Sequence, residues 1–247
     1  MGKYFGTDGF RGKANVTLTA EQKAFLQQVE ALSERTGGLF DPKLQKVIEA
    51  WGFLSGVGVV PTQEQIDAAL VDKQWNLNGA VPGYVMDLYM EELDKLDIQR
   101  VVVNMGGNTM TYGSKEDGPW AIGIKDPEDG DINIGIAQIE GTMTLHTAAD
   151  YLKFFEQDGK YYHHIIDPRT GKPAESDLTS VTVLCKSGLT GDVLSTALYV
   201  MGLEDAVEFW RQSNDFEVVF ITKEGKILAT EGVKLTQCEH EVITREQ

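Results

Sequence analysis

The chain has 247 residues, of which 42% are hydrophobic and 24% charged, enough to bury a core in one large domain or two small ones. That composition excludes disordered, collagen-like and low-complexity classes. With 22 basic against 38 acidic side chains, the formal charge is −16, a field that repels phosphate backbones and anionic lipid headgroups. Neither nucleic acid nor a membrane surface is therefore expected as a partner, and an anionic nucleotide needs a metal ion or a cluster of donors to offset the field.

Residues 1–19 are polar and glycine-rich and read as a loose arm without an apolar targeting core; no apolar run nears the roughly 18 residues that span a bilayer. The expectation is a chain without membrane insertion that stays in the cytoplasm. From 20 to 35, Ala24, Phe25, Val29 and Leu32 recur at helical spacing, and Thr36-Gly37-Gly38 ends that helix. A second helix opens at Asp41 or Pro42 and runs through Trp51. Pro61-Thr62 with Glu64 and Gln65 resembles a capping arrangement for a third, reaching Val71. A fourth covers 84–96. The pattern then changes to strands: 98–104, read as buried from its β-branched run, then 109–112, 120–125 and 132–139, with turns at Gly106-Gly107, Gly113-Ser114, Asp126-Pro127 and Asp129-Gly130. Strands at 161–166 and 178–185, helices at 192–201 and 204–212, and a hairpin over 216–230 complete the chain. Helices cluster early and strands late, so the expected class is α+β, in one domain over 20–247 after the arm. The two cysteines, Cys185 and Cys238, are too few for a disulfide framework.

Four segments could carry chemistry. In His163-His164-Ile165-Ile166-Asp167-Pro168-Arg169-Thr170-Gly171, a strand runs into an Asp-Pro turn that presents a proton carrier and a phosphate clamp. The plainer reading is a turn whose Asp caps backbone amides and pairs with Arg169. Asp192 and Thr196 lie four apart, on one helical face, where a carboxylate and a hydroxyl suit a hard cation such as Mg²⁺. Equally, Asp192 could be an N-cap and Thr196 a back-bonded helix hydroxyl. Asn104 with Gly106 and Gly107 allows close backbone approach to a ligand, or is only a turn. Gly79 to Tyr84 is a glycine-rich entry to a helix, able to receive an anion or simply to turn. His146 and His240 have no metal-ligand partners at useful spacing.

Taken in order, these segments resemble the FAD:protein FMN transferase (ApbE-like) family. The motifs are Gly37-Gly38-Leu39-Phe40-Asp41-Pro42, Trp51-Gly52-Phe53, Pro61-Thr62, Gly83-Tyr84 with Asp87, Asn104 to Asn108, Trp120 to Pro127, His164 to Gly171 and Asp192 to Ala197. The resemblance runs from about residue 25 to 232. It implies a T-fold-like α+β flavin transferase domain, shortened in its N-terminal part, with FAD as substrate and Mg²⁺ as cofactor. It also implies an acceptor flavoprotein carrying a target Thr, whose hydroxyl takes FMN while AMP leaves. Position by position, Asp192, Thr196 and the Gly79 carbonyl match the metal ligands, and His164 matches the histidine beside the reacting phosphate. Asn104, Gly106, Gly107, Thr147 and Arg169 fall on nucleotide-contacting positions. Pro82 stands where the family usually has Lys, and Ala148-Ala149 where it has Ser-Gly. The alternatives implied are an impaired FAD-binding protein and an FAD pyrophosphatase giving FMN and AMP. Family members are often exported and membrane-anchored. Residues 1–19, through Tyr4 to Gly12, resemble instead the N-terminus of phosphoglucosamine mutases.

Overall fold

The computed structural model describes residues 18–246. The arm expected at 1–19, with its mutase-like motif, lies almost wholly outside the described residues.

Four helices lead: α1 (Ala20–Arg35), α2 (Gln45–Ala50), α3 (Gln63–Val71) and α4 (Val81–Leu93). Thr19 and Gln22, and again Thr62 and Gln65, form reciprocal capping boxes that satisfy the first amides of α1 and α3. The second helix starts later than its sequence indicates, because the Asp41 carboxylate takes the Lys43 amide at 2.8 Å in a turn of its own. The fourth starts earlier, with Pro82 in its first turn, where a missing N–H costs nothing.

Strands follow: β1 (Val101–Met105), β2 (Asn108–Tyr112), β3 (Trp120–Lys125), β4 (Asn133–Ile139), β5 (Met143–Ala149), β6 (Phe154–Gln157), β7 (Lys160–His163), β8 (Ile166–Asp167), β9 (Lys172–Pro173) and β10 (Leu178–Cys185). Helices α5 (Gly188–Met201) and α6 (Leu203–Arg211) precede β11 (Phe216–Thr222), β12 (Ile227–Thr230), β13 (Leu235–Thr236) and β14 (Glu241–Ile243). The fold is α+β, as expected. Two strand readings are corrected. The run at 98–104 is not a buried strand: β1 is an edge, paired only to β2, and Val102 is 44% exposed. The strand read at 161–166 is broken between β7 and β8: the His164 amide still bonds back to the Lys153 carbonyl in the register of the β6–β7 hairpin, whereas Ile166 and Asp167 pair with β9.

The main sheet has the order β1-β2-β5-β10-β11-β12-β14, antiparallel except for its last pair. Strand alternation sends Val181, Val183, Val218 and Phe220 to one face, where they pack on Leu194 and Leu198 of α5 and on Trp210 of α6. Leu145, Leu184, Val219 and Ile221 go to the other, against Ile124, Ala137 and Ile139 of the small β13-β4-β3 sheet. Helix α5 is thus covered along most of its surface, by the sheet beneath and by α1 and α4 beside it, with Thr190 and Thr196 left half-buried. Cys185 and Cys238 are free thiols.

Candidate functional site

The first turns of α4 and α5 cross with no side chain between them. A methyl group on Gly83 would sit 2.1 Å from the Gly188 carbonyl oxygen, and one on Gly188 would sit 2.2 Å from the Gly83 oxygen. Only glycine fits at either position. Each helix caps the other. Asp87 of α4 accepts the Gly188 and Leu189 amides of α5 at 2.5 and 2.9 Å. Asp192 of α5 accepts the Gly83 amide of α4 at 2.9 Å through Oδ2. The N-cap of α5 itself is Ser187, whose hydroxyl takes the Thr190 amide at 3.2 Å. Asp192 therefore lies inside its own helix and caps a neighbouring one.

This exchange leaves oxygen atoms without partners. A continuing helix would give the Gly83 amide to the Gly79 carbonyl, but that amide goes to Asp192, and Pro82 has no N–H. No hydrogen bond reaches the Gly79 oxygen among the described residues. The Thr196 hydroxyl is likewise unpaired there. The back-bond in this turn belongs to Ser195, which donates to the Asp192 carbonyl at 3.0 Å. Gly79 and Thr196 are neighbours: a methyl on Gly79 would meet Thr196 Oγ1 at 3.8 Å. Asp192 Oδ1 has only a long contact from Asn108 Nδ2, at 3.4 Å, and His146 Nδ1 at 3.8 Å. A carboxylate oxygen, a hydroxyl and a carbonyl of this kind are the donors a hard divalent cation takes, with room in its shell for substrate oxygens. Among the described residues no three His, Cys, Asp or Glu side chains gather as a metal site. The donors here include only one of those types.

The Gly106-Gly107 pair is the two-residue turn of the β1–β2 hairpin, with φ of +63° and +101°. It brings Asn108 to Asp192; Asn104 turns aside to donate to Thr109 Oγ1 at 2.9 Å. Thr147 follows His146 on β5 and so faces the opposite side of the sheet, where its hydroxyl pairs with that of Thr182 at 2.9 Å. Asn108 and His146, the two side chains that frame Asp192, are not among the residues picked from the sequence as nucleotide or metal contacts.

The histidine segment forms a second locus. His164 Nδ1 donates to the Lys153 carbonyl at 3.1 Å, its ring stands edge-on to Phe53, and burial pushes its pKa down to about 4. At neutral pH it is an uncharged imidazole with its proton on Nδ1 and a free lone pair on Nε2, the state of a general base. His163 is its structural neighbour. Burial also lowers its pKa to about 4, its Nε2 donates to the Ala174 carbonyl at 3.1 Å, and its Nδ1 takes the Ile165 amide. Burial opposes ionisation of Asp167, but its fork with Arg169, at 2.7–3.1 Å, prevails and holds its pKa below the usual range. Arg169 is thus committed to the plainer turn, although its side chain stays 63% exposed. The structure brings together Asp192, Thr196 and Gly79. His164 takes its own contacts from Phe53 and the Lys153 carbonyl, and Thr147 faces the other side of the sheet.

A model of the ApbE family matches residues 9–220. The chain belongs to the ApbE family. Among its relatives are an FAD:protein FMN transferase of Klebsiella pneumoniae, 35% identical over 65% of this chain and 49% of the relative, and one of Rhodobacter capsulatus, 31% identical over 83% and 43%. The chain therefore spans about half the length of these curated relatives. The crystal structure of the ApbE protein of Thermotoga maritima superposes with a TM-score of 0.80 at 29% identity, over 87% of this chain and 77% of that one. The family assignment and the shared fold agree with the α+β flavin transferase architecture expected from the motifs. Among the described residues no helix is long and apolar enough to cross a membrane.

Proposed function

We propose that this chain transfers FMN from FAD to a threonine hydroxyl of an acceptor flavoprotein, releasing AMP, with Mg²⁺ held by Asp192, Thr196 and the Gly79 carbonyl. One observation carries the reading: at the α4–α5 crossing the Gly79 carbonyl and the Thr196 hydroxyl stand unpaired among the described residues, and Asp192 Oδ1 has only a long contact from Asn108, at 3.4 Å. Buried or half-buried oxygens normally find partners, and a set left open together fits a cation that arrives with its substrate. When bound, the ion would offset the charge on the pyrophosphate oxygens and draw electron density from phosphorus.

The chain's own residues do the rest. Oδ2 of Asp192 is tied to the Gly83 amide, so the carboxylate keeps a fixed orientation while Oδ1 stays available. His164, anchored through Nδ1, accepts the proton of the acceptor hydroxyl at Nε2. The hydroxyl oxygen forms its bond to the FMN-side phosphorus as the bond to the AMP phosphate breaks, and AMP leaves with that electron pair. The relatives named FAD:protein FMN transferase support this reading.

Pro82 favours a second reading, an FAD-binding protein with impaired turnover: it occupies the first turn of α4 and brings no positive charge to the anion. Incubation with FAD, Mg²⁺ and an acceptor protein bearing a target threonine separates the readings. Covalent FMN on the acceptor supports transfer. FAD binding without label and without AMP release supports the second reading, and AMP released without any acceptor indicates FAD hydrolysis.

A further inference from the structure

His146 is buried in the middle of β5 with 0% exposure, and neither of its ring nitrogens has a hydrogen-bond partner among the described residues. An imidazole in that state forgoes hydrogen bonds that water would supply, at a cost the fold must recover elsewhere. Its Nδ1 faces Asp192 Oδ1 at 3.8 Å, beyond hydrogen-bond length. The neighbouring strand places Asn108 beside it: β2 pairs with β5 through Thr109 and Leu145, so one step along the ladder sets Asn108 against His146. Both side chains address the same carboxylate oxygen from the sheet, while Gly83 holds the other oxygen from α4. Gly191 makes the approach possible, since a methyl there would lie 2.6 Å from His146 Cδ2.

We propose that His146 is a positioning residue for Asp192, donating Nδ1–H to Oδ1 and so leaving the other lone pair of that oxygen directed at the cation site. This deepens the reading given above and rests on it. Complete burial puts the imidazole behind the carboxylate, whereas Thr196 and Asn108 are half-exposed at the front. A shift of about 0.6 Å brings the 3.8 Å contact within hydrogen-bond length. A carboxylate held from three sides keeps one direction free, the arrangement by which outer partners orient a metal ligand.

Two measurements on the full chain test this. Long-range ¹⁵N spectra of histidine-labelled protein at neutral pH should give His146 as the Nδ1–H tautomer; the Nε2–H tautomer overturns the proposal. Mn²⁺ binding, followed by the paramagnetic resonance of free Mn²⁺ with and without FAD, should weaken about 10- to 100-fold in His146→Ala. His146→Asn, which keeps an amide donor, should recover part of that loss with the same folded spectrum. Unchanged affinity in His146→Ala overturns the proposal, as does a directly bonded ¹⁴N coupling to Mn²⁺ in the unaltered protein, which would make His146 itself a ligand. Failure of the unaltered protein to bind Mn²⁺ under either condition overturns the cation site of the previous section, while the tautomer then decides whether His146 orients Asp192.

Discussion

Asp192 serves two purposes that substitution separates. Its Oδ2 caps α4, and an amide oxygen can accept the Gly83 N–H as well as a carboxylate oxygen can. Asp192→Asn should therefore keep the cap while turning an NH₂ group towards Asn108 and His146, lowering the melting temperature less than Asp192→Ala does and abolishing any stimulation by Mg²⁺. Asp192→Ala should lose the cap too, costing about 1–2 kcal/mol in a denaturant titration. Thr196→Ala removes an unpaired hydroxyl, so it should cost little stability and weaken the Mg²⁺ response. At His164 the depressed pKa sets the pH dependence. The base form persists down to about pH 4, so the acid limb of the transfer rate should fall near pH 4 and not near 6.5. An acid limb near 6.5 in the pH–rate profile would remove His164 from that role.

At the scale of elements, the first turns of α4 and α5 are joined by backbone contact and by exchanged caps, beside an apolar cluster that holds Val81, Leu189 and Val193. Gly83→Ala places a methyl against the Gly188 carbonyl and Asp192 Cβ, neither of which can yield without parting the helices. The expected loss is about 3 kcal/mol of unfolding free energy, with loss of metal binding because the Asp192 carboxylate is levered away. Gly106→Ala is the useful contrast. It meets no atom within 4 Å but strains a φ of +63°, so it should destabilise by about 1–2 kcal/mol and leave α4–α5 intact.

At the scale of the whole molecule, His163 and His164 make the folded chain sensitive to mild acid. Both have pKa values near 4 in the folded state against about 6.5 when unfolded, so the unfolded chain binds more protons between those limits. Stability is complete above about pH 6.5 and falls as the pH drops towards 4. Each imidazole contributes up to about 3 kcal/mol across that window. Urea midpoints measured between pH 7 and 4 should decline together with separation of the β6–β7 hairpin from the body. The net charge of −16 acts over longer range. A cation at the α4–α5 crossing would let so acidic a chain hold an anionic dinucleotide, and binding of FAD should depend more steeply on divalent than on monovalent salt.

Local rules carry a long way here. The capping pair Thr62 and Gln65, the strands at 120–125 and 178–185 and the hairpin over 216–230 follow from periodicity and turn residues, because those forces act within a few residues. The spacing of Asp192 and Thr196 belongs to the same class: a helical repeat alone puts them on one face. Strand β5 escapes such reading because it is covered on both faces and mixes Thr144 and His146 into its buried positions, so its pattern resembles neither an alternating nor an apolar strand. The role of Asp192 as the cap of another helix, the freeing of the Gly79 carbonyl and the meeting of His146 with Asp192 depend on how α4, α5 and β5 are stacked. No spacing along the chain encodes those contacts, since they arise only when distant segments are packed to backbone distance by two glycines.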